Sequence, residues 1–391
     1  MTHGAPLVIA TVARERGITG VHTHVRQLRE YLARTGGYAD LVTPHTWADG
    51  SLWRKLLLAP LFGARIVLEQ VYGPANVWWY RSSHEFFLRR ALRRRLAQEG
   101  PCTVYAQCPV SARAALAARS APHQRVVLAV HFRISQADEW ADKGQIPRGG
   151  RVYRWIRATE QQVVPRVDGL VFVSSWAHEA VQAWMPEVDR VAAKVIPNFV
   201  AVPDLNGNPA TRAGLVTVGN LEAVKNHRYL LRVLAAARKE GYVYALDVFG
   251  EGVERARLLA LADELEVSNQ VRLQGFCRDV QARLPAYKAY VHASYSESSS
   301  LAIMEAMSVG LPVVSSRAGA LGDLFEDPEH GRFWPLDDVM ESARILIELM
   351  ESPDELQRAG RAAKEKFLHD YAADVVVPQL LSFLKSVPAS P

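Results

Sequence analysis

The chain has 391 residues, of which 49% are hydrophobic and 22% charged, a globular composition that excludes a mostly disordered protein. Single hydrophobic cores stop growing near ~250–300 residues, so two domains are expected. Three cysteines without a CxxC pair exclude a disulfide framework and favour a reducing, cytoplasmic compartment. The longest apolar stretch, Leu56 to Leu68, contains Arg65 and is shorter than the ~20 residues of a membrane span. We therefore expect a protein that is soluble or lies on a membrane.

Positive charge is concentrated in one half of the chain. Residues 1–200 contain 26 Lys and Arg against 15 Asp and Glu, whereas residues 201–391 contain 20 against 26. This asymmetry predicts that only the first half meets an anionic partner. Nucleic acid, an acidic lipid surface and an anionic acceptor are all compatible with it.

Short apolar runs alternate with helical patterns in the first half. The first run, Leu7 to Ala13, is interpreted as a strand and not as a signal peptide. The predicted strands are Leu7–Ala13, Ala39–Thr43, Thr103–Gln107, Val126–His131, Gly169–Ser174 and Lys194–Pro197. The predicted helices include His22–Arg34, Phe86–Gln98 and Val152–Pro165. Continuous Val, Ile, Leu and Ala runs are typical of strands that are buried on both faces.

The second half repeats this alternation. Its predicted strands are Leu215–Val218, Ala245–Phe249, Val271–Gln274, Tyr290–Ala293 and Val313–Ser315. Helices are predicted to begin at His227, Val253, Asp279, Leu301 and Gly322. Strand–helix alternation predicts parallel sheets, here in two Rossmann-like domains. Proline, asparagine and glycine cluster in Val200–Arg212, which is the predicted boundary, and Asp354 to Val387 is predicted to form two helices joined near Ala372.

Polar residues follow the predicted strand Tyr290–Ala293. Glu297 lies in the turn, three serines come next, and the following helix contains Glu305. Free N–H groups at a helix start, together with hydroxyls, suit a phosphate ligand. The alternative is that Glu297 and Ser298 cap the helix and that Glu305 compensates its dipole.

The spacing Glu297-x7-Glu305, followed by Ala-Met-x-x-Gly-x-Pro-Val, resembles the donor-binding motif of retaining glycosyltransferases of family 4, also described as glycosyl transferases group 1. Four further segments are similar to that family: Arg14–Val21, Asp168–Ser175, Val195–Val200 and Leu215–His227. The resemblance is weak across residues 45–100. It implies the GT-B fold, an α/β architecture of two Rossmann-like domains whose parallel sheets face each other across a cleft.

The resemblance also implies a domain organisation. Residues 1–200 are expected to form the acceptor-binding domain and residues 201–372 the domain that binds the nucleotide sugar. Residues 373–391 are expected to form a helix that packs back on the first domain.

The resemblance assigns roles in the second domain. Lys225, beside Gly219, is expected to hold the diphosphate, although a solvated loop lysine is the alternative. Asn220 stands where the family commonly has an arginine. Glu305 is expected to accept the ribose hydroxyls and Glu297 to orient the hydroxyls of the transferred sugar. The amides expected at the phosphates belong to Ser299, Ser300 and Leu301.

Other site residues are assigned less directly. Gly250 is expected to allow close backbone approach near the base or ribose. Gly17 and Gly20 are expected to allow close backbone approach to a phosphate or sugar. A plain strand-to-helix turn is the alternative. His131, at the end of a strand, is expected to contact the donor sugar, and a buried structural histidine is the competing interpretation. Glu160 is interpreted as a solvated residue.

The predicted helix Phe86–Glu99 is amphipathic and basic. Its arginines are Arg89, Arg90, Arg93, Arg94 and Arg95. Aromatic and apolar residues precede it, among them Trp53, Leu56–Leu58, Trp78 and Trp79. This composition predicts contact with an anionic membrane interface, where a lipid-linked acceptor would be reached; a solvated arginine face is the alternative. Nucleic acid is not expected as a partner because no known nucleic-acid-binding module is present.

The predicted function is retaining transfer of a sugar from a nucleoside diphosphate sugar to an acceptor hydroxyl, with UDP favoured over GDP. Bacterial cell-surface polysaccharide or lipopolysaccharide synthesis is the expected context, at the inner face of the plasma membrane. The chain contains no Asp-x-Asp, the usual metal-diphosphate signature of the other large glycosyltransferase fold, so metal-free stabilisation of the leaving group by Lys225 and helix-terminal amides is expected. No cofactor is expected either. The alternatives are a GT-B sugar-nucleotide epimerase and a non-catalytic basic protein that binds membrane or nucleic acid.

Overall fold

The structure is a computed structural model that describes residues 6–15, 17, 19–204 and 213–388, with only the backbone described at Ile66. The chain divides into two compact units. Unit 1 comprises Met1–Pro197 and Val377–Pro391, and unit 2 comprises Asn198–Val376.

The described part of unit 1 contains a six-stranded parallel sheet of order β2-β1-β3-β4-β5-β6. The strands are β1 Leu7–Ala10, β2 Ala39–Val42, β3 Cys102–Ala106, β4 Gln124–Val130, β5 Gly169–Phe172 and β6 Ala192–Val195. The helices are α1 Gly20–Arg34, α2 Leu52–Val71, α3 Gly73–Leu96, α4 Pro109–Ala118, α5 Gln136–Asp142, α6 Arg151–Val163 and α7 Ser175–Trp184. The central strands are buried on both faces, since the adjacent residues Val104 and Tyr105 on β3, and Val127 and Leu128 on β4, which point to opposite faces, are all at most 1% exposed.

The described part of unit 2 contains a second six-stranded parallel sheet, of order β12-β11-β10-β7-β8-β9. The strands are β7 Leu215–Val218, β8 Leu246–Phe249, β9 Val271–Gly275, β10 Ala289–His292, β11 Val313–Ser315 and β12 Gly331–Phe333. The helices are α8 His227–Lys239, α9 Arg255–Glu264, α10 Leu301–Ser308, α11 Val339–Met350, α12 Pro353–Asp370 and α13 Ala373–Ser386, of which α13 ends in unit 1. The predicted pair of parallel α/β sheets is confirmed.

Residues 385–387 pack within unit 1. Arg125, on β4, donates from Nη1 to the carbonyl oxygens of Lys385 (2.7 Å) and Val387 (2.9 Å). A Cβ on Gly169 would lie only 2.9 Å from the Val387 side chain, so β5 and Val387 are closely packed.

Two predicted helices are wrong. The helix predicted from Asp279 is a pair of short 3₁₀ turns, because Pro285 lacks the N–H that a continuous helix needs. The helix predicted from Gly322 is replaced by a 3₁₀ turn over Gly319–Asp323, and the edge strand β12 that follows was not predicted. The predicted basic helix begins earlier than expected, at Gly73.

Strand order determines where a ligand is expected. Chain order runs outward from β7 through β8 to β9 and then resumes on the other side of β7 with β10. In open parallel sheets, ligands bind beyond the carboxyl ends of the strands at such a reversal. The residues that follow β7 and β10 are therefore the first place to look for a site in unit 2. The corresponding reversal in unit 1 lies between β1 and β3.

Candidate functional site

The residues that follow β7 and β10 meet in an ion pair. Lys225 ends a short turn after β7, and Asn226 then takes a left-handed conformation (φ 52°) that starts α8. The Nζ of Lys225 donates to Oε1 of Glu297 at 2.5 Å. Their side chains are 25% and 11% exposed, so neither is a solvated surface charge. The solvated-lysine alternative is therefore wrong for Lys225.

Glu297 is held by three donors on one oxygen. Besides Lys225, its Oε1 accepts hydrogen bonds from Ser294 Oγ at 2.8 Å and from His292 Nε2 at 3.2 Å. Burial raises the pKa of Glu297, but the Lys225 charge and the His292 hydrogen bond outweigh burial and lower this pKa to about 2. Glu297 is therefore an ionised, oriented carboxylate at neutral pH.

His292 and Tyr290 belong to the same site and were missed by the sequence analysis. Burial lowers the pKa of His292, so its imidazole is neutral and donates Nε2–H to Glu297. Its Nδ1 lies 3.4 Å from the hydroxyl of Tyr290, which also lies 3.2 Å from the carbonyl oxygen of Val218. The available signal was alternation: Tyr290, His292 and Ser294 place polar groups on one face of an otherwise apolar strand.

Glu305 lies on α10, four residues after the first residue of that helix. Burial raises the pKa of Tyr290, and the charges of Glu305 and Glu297 raise it further. The helix cap is neither Glu297 nor Ser298: Ser300 caps α10, since its Oγ accepts from the Ile303 N–H. The capping alternative is therefore wrong for Glu297 and Ser298.

The start of α10 provides donors beside these carboxylates. By helix geometry the first N–H groups of α10, from Leu301 onward, have no intrahelical acceptor. The hydroxyl of Ser299 is buried and has no hydrogen-bond partner among the described residues. Such a cluster of donors matches the needs of an anionic ligand.

Two glycines fix the backbone around the site. Gly250 has φ 155°, and a Cβ there would lie 1.9 Å from the carbonyl oxygen of Gly219. Gly319 has φ 62°, and a Cβ there would lie 2.4 Å from the carbonyl oxygen of Glu297. That same oxygen accepts the Ala320 N–H at 2.9 Å. The backbone that closely approaches Gly250 is thus that of the loop at Gly219.

Gly319→Ala is expected to lower the free energy of unfolding by about 2–3 kcal/mol, because it adds a backbone clash to a left-handed strain. Gly241 is a matched control: it has φ 90°, and a Cβ there meets nothing among the described residues within 4 Å. Gly241→Ala should cost only about 1 kcal/mol. Urea unfolding of both variants measures the difference, and equal losses would contradict the packing at Glu297.

Asn220 follows Gly219 and is half-buried, and its carbonyl oxygen accepts the Glu222 N–H at 2.8 Å. The nearby Arg228 is engaged in an ion pair with Glu254. Lys225 is thus the cation in direct contact with Glu297 at this site.

In unit 1, His131 follows β4 and joins a group of aromatic and polar side chains. Its Nε2 lies 3.0 Å from Oε1 of Gln107, and burial lowers its pKa to about 4. The ring of His24 packs edge-on against it at 4.8 Å, and His24 Nε2 lies 3.4 Å from the hydroxyl of Tyr105. His131 is therefore a neutral imidazole near the carboxyl ends of β3 and β4.

Gly17 and Gly20 lie between β1 and α1. Gly20 is the first residue of α1, and Thr19 is its N-cap. A Cβ on Gly17 would lie 2.3 Å from the His22 ring, so this glycine allows the ring to pack over the loop. Residues 16 and 18 lie outside the described residues.

The interpretation of Glu160 as a solvated residue is wrong. Its side chain is completely buried, where it accepts hydrogen bonds from Ser135 Oγ at 2.5 Å and from the Gln136 N–H at 2.8 Å. Burial raises its pKa to about 7. Glu160 therefore binds the first residue of α5, Gln136, which lies five residues after His131 in the chain.

A pH dependence follows for Glu160→Gln. Between pH 4.5 and about 7 the native protein binds more protons at Glu160 than the unfolded chain does, so stability falls as pH rises through this window. Glutamine should remove this contribution, which is at most about 3 kcal/mol. Urea unfolding across this pH range measures it, with the exposed Glu179→Gln as control. Parallel pH profiles of wild type and Glu160→Gln would contradict the buried placement.

The five arginines predicted for a membrane surface differ in their contacts. Arg95 is committed to ion pairs with Asp40 and Glu99. Arg90, Arg93 and Arg94 are exposed, and Arg89 is half-buried.

Neither metal nor membrane-spanning features stand out in the described part of the chain. None of its helices is both long and apolar enough to cross a bilayer. No group of three or more His, Cys, Asp or Glu side chains in this part is arranged to hold a metal ion. Independence from metals stays a prediction.

Two family models match consecutive parts of the chain. The model described as Glycosyltransferase Family 4 matches residues 18–202, and the one described as Glycosyl transferases group 1 matches residues 204–366.

Individual proteins agree with these matches. A putative colanic acid biosynthesis glycosyltransferase, WcaL of Escherichia coli, is 27% identical over 46% of both chains. The lipopolysaccharide core biosynthesis glycosyltransferase LpsE of Rhizobium meliloti is 28% identical over 46% of this chain and 52% of its own. The match thus spans about half the length of each relative. Anabaena HepE, solved with UDP and glucose, superposes with TM-score 0.71 and 17% identity over 98% of this chain and 100% of its own. The chain belongs to family 4 of the glycosyltransferases and has the GT-B fold.

Proposed function

We propose that this protein transfers a sugar from a nucleoside diphosphate sugar to an acceptor hydroxyl, with retention of anomeric configuration. The observation that carries the proposal is the Lys225–Glu297 pair at the strand reversal between β7 and β10, beside the start of α10. A cation and open helix amides suit a diphosphate, and oriented carboxylates suit sugar hydroxyls.

The proposed reaction breaks the bond between the anomeric carbon and the phosphate oxygen. Negative charge then develops on the departing diphosphate, where the Lys225 ammonium and the first amides of α10 stabilise it. The acceptor hydroxyl attacks from the face that the diphosphate leaves, and the β-phosphate takes the hydroxyl proton. No protein nucleophile is required for this path.

The carboxylates of unit 2 receive separate roles. We assign the sugar hydroxyls to Oε2 of Glu297, because three donors already fill its Oε1. Glu305, further along α10, is assigned to the ribose hydroxyls. His131, neutral at working pH, is assigned to the transferred sugar as a hydrogen-bonding group.

The donor and acceptor classes are also proposals. The HepE structure contains UDP and glucose, which supports a UDP-sugar here, with a GDP-sugar as the second choice. The names of WcaL and LpsE support an acceptor in bacterial cell-surface polysaccharide or lipopolysaccharide synthesis. We propose cytoplasmic action at the inner face of the membrane, with the exposed arginines of α3 toward anionic lipid and without any metal.

Proton NMR of slow donor hydrolysis tests this proposal without an identified acceptor. UDP-glucose, UDP-galactose and their GDP counterparts are incubated with the protein in the presence of EDTA. We expect freshly released sugar to appear first with the same anomeric configuration as the sugar of the donor. Initial release of the opposite anomer would exclude retention, and conversion of the donor into an epimeric sugar nucleotide would indicate an epimerase.

A further inference from the structure

Helix α2 exposes an unusual amount of apolar surface. Six large apolar side chains of this one helix are at least half exposed. They are Leu52 (72%), Trp53 (83%), Leu56 (56%), Leu57 (52%), Val67 (62%) and Val71 (76%). Contiguous apolar surface of this kind marks an interaction site on a folded protein. We call these six residues the apolar face of α2.

The six residues form a face because of helical periodicity. Leu57, Val67 and Val71 follow Trp53 by four, fourteen and eighteen positions, which places them within roughly 40° of it around the axis. Leu52 and Leu56 extend the face on one side. The charged residues of the helix lie at least about 100° from Trp53 around the axis. They are Arg54, Lys55, Arg65 and Glu69.

The opposite side of α2 is already packed. Leu58 is buried with Ala48 and Phe87, and Phe62 packs against the same cluster. The carbonyl oxygen of Leu61 accepts the indole N–H of Trp79 on α3 at 2.8 Å. A surface helix normally presents polar residues opposite its packed side. The apolar face is therefore unexplained by the fold of unit 1.

Basic side chains lie near the start of the helix, on the sides that turn away from the apolar face. The carbonyl oxygen of Trp47 lies 3.5 Å from Nη1 of Arg54 and 3.2 Å from Nη1 of Arg94, so these two guanidinium groups are neighbours. Lys55 is exposed on the next position of α2. Residues 51–100 contain nine Lys and Arg against three Asp and Glu, and Glu69 is the single acid of α2.

We propose that α2 lies flat in the interface of an anionic lipid bilayer, with its apolar face among the acyl chains and with Arg54, Lys55 and Arg94 at the headgroup phosphates. Apolar insertion beside basic residues is the pattern of interfacial helices. A second copy of the chain fits less well, because residues 51–100 of both copies would carry the same excess of positive charge. The inference rests on the proposed function for the acceptor that it would bring near, but lipid binding is measurable apart from catalysis.

Vesicle co-sedimentation of the full chain tests the proposal. Vesicles of phosphatidylcholine alone are compared with vesicles that also contain phosphatidylglycerol. Trp53→Glu/Leu57→Glu removes apolar contact, with Val253→Glu, an 86% exposed valine of unit 2, as the matched control. Arg54→Gln/Lys55→Gln removes charge, with exposed Lys239→Gln/Arg361→Gln as its control.

The wild-type chain is expected to sediment with the anionic vesicles. Partitioning should fall by at least about tenfold in Trp53→Glu/Leu57→Glu, and about fivefold for each basic residue removed. Both control variants should bind like wild type. The milder Leu52→Ser/Leu56→Ser repeats the apolar test, and UDP titration of every variant checks that unit 2 is intact.

Three results would overturn the proposal. One is failure of the wild-type chain to bind anionic vesicles while it still binds UDP. Another is equal vesicle binding by Trp53→Glu/Leu57→Glu and Val253→Glu. The third is a dimer in solution that dissociates in Trp53→Glu/Leu57→Glu without any vesicle binding, which would assign the apolar face to a second copy. Vesicle binding without UDP binding would leave the lipid proposal standing and contradict the proposed function instead.

Discussion

Lys225→Ala should lower kcat/KM for the sugar nucleotide by about 10²–10³, the loss seen when one preorganised donor to a developing negative charge is removed. Lys225 is placed by a turn directly after β7, and its Nζ reaches the carboxylate that follows β10. Where many family members have an arginine, this chain has Asn220. We therefore expect an unusually large share of leaving-group stabilisation to rest on Lys225.

Steady-state kinetics with the wild type and two lysine variants measure this effect. The exposed Lys239, on α8, is the matched control, and Lys239→Ala should leave kcat/KM unchanged. Lys225→Arg should recover part of the loss, since it keeps the charge but not the compact ammonium. Near-normal turnover in Lys225→Ala would remove Lys225 from the mechanism.

Glu297→Gln is the second variant with a large expected effect, a fall in kcat on the order of 10²–10³. Glutamine keeps the size of the side chain but removes the charge that holds Lys225 and that we assign to the sugar hydroxyls. UDP affinity should change less than kcat, because Glu297 is assigned to the sugar and not to the nucleotide. Glu222→Gln, at a carboxylate of the loop before Lys225, serves as the control. Equal losses in kcat and in UDP affinity would contradict the assignment to the sugar.

The low pKa of Glu297 also limits the pH range in which its contribution to stability changes. Its stabilising contribution is fully present above pH 4.5, the ordinary pKa of a glutamate, and is lost as pH falls toward about 2. An acid limb in turnover at higher pH therefore belongs to another group.

Much of this site could be predicted because it depends on strand position. Apolar runs locate β7 and β10, and parallel strands bring their carboxyl ends to one edge, so Lys225 and Glu297 were predicted as site residues from sequence. The donors around Glu297 were harder to find. His292 and Tyr290 lie inside a strand, where polar residues are more often structural, and only the fold brings them to Glu297.

One other feature depended on tertiary packing. Glu160 is an acidic residue on an amphipathic helix, so the local pattern favours a solvated position. In the fold its side chain is buried and accepts hydrogen bonds from residues 135 and 136. The helix predicted from Asp279 failed for a local reason instead, because Pro285 lacks the N–H that a continuous helix needs and two 3₁₀ turns form there.

The central claim, a nucleoside diphosphate site in unit 2, is tested most directly by calorimetric titration with UDP and with GDP. We expect micromolar binding of UDP that EDTA does not change and that Glu305→Ala weakens about a hundredfold, because charge-assisted hydrogen bonds to the ribose are lost. Binding of neither nucleotide, or UDP binding that is unaffected by Glu305→Ala, would contradict it.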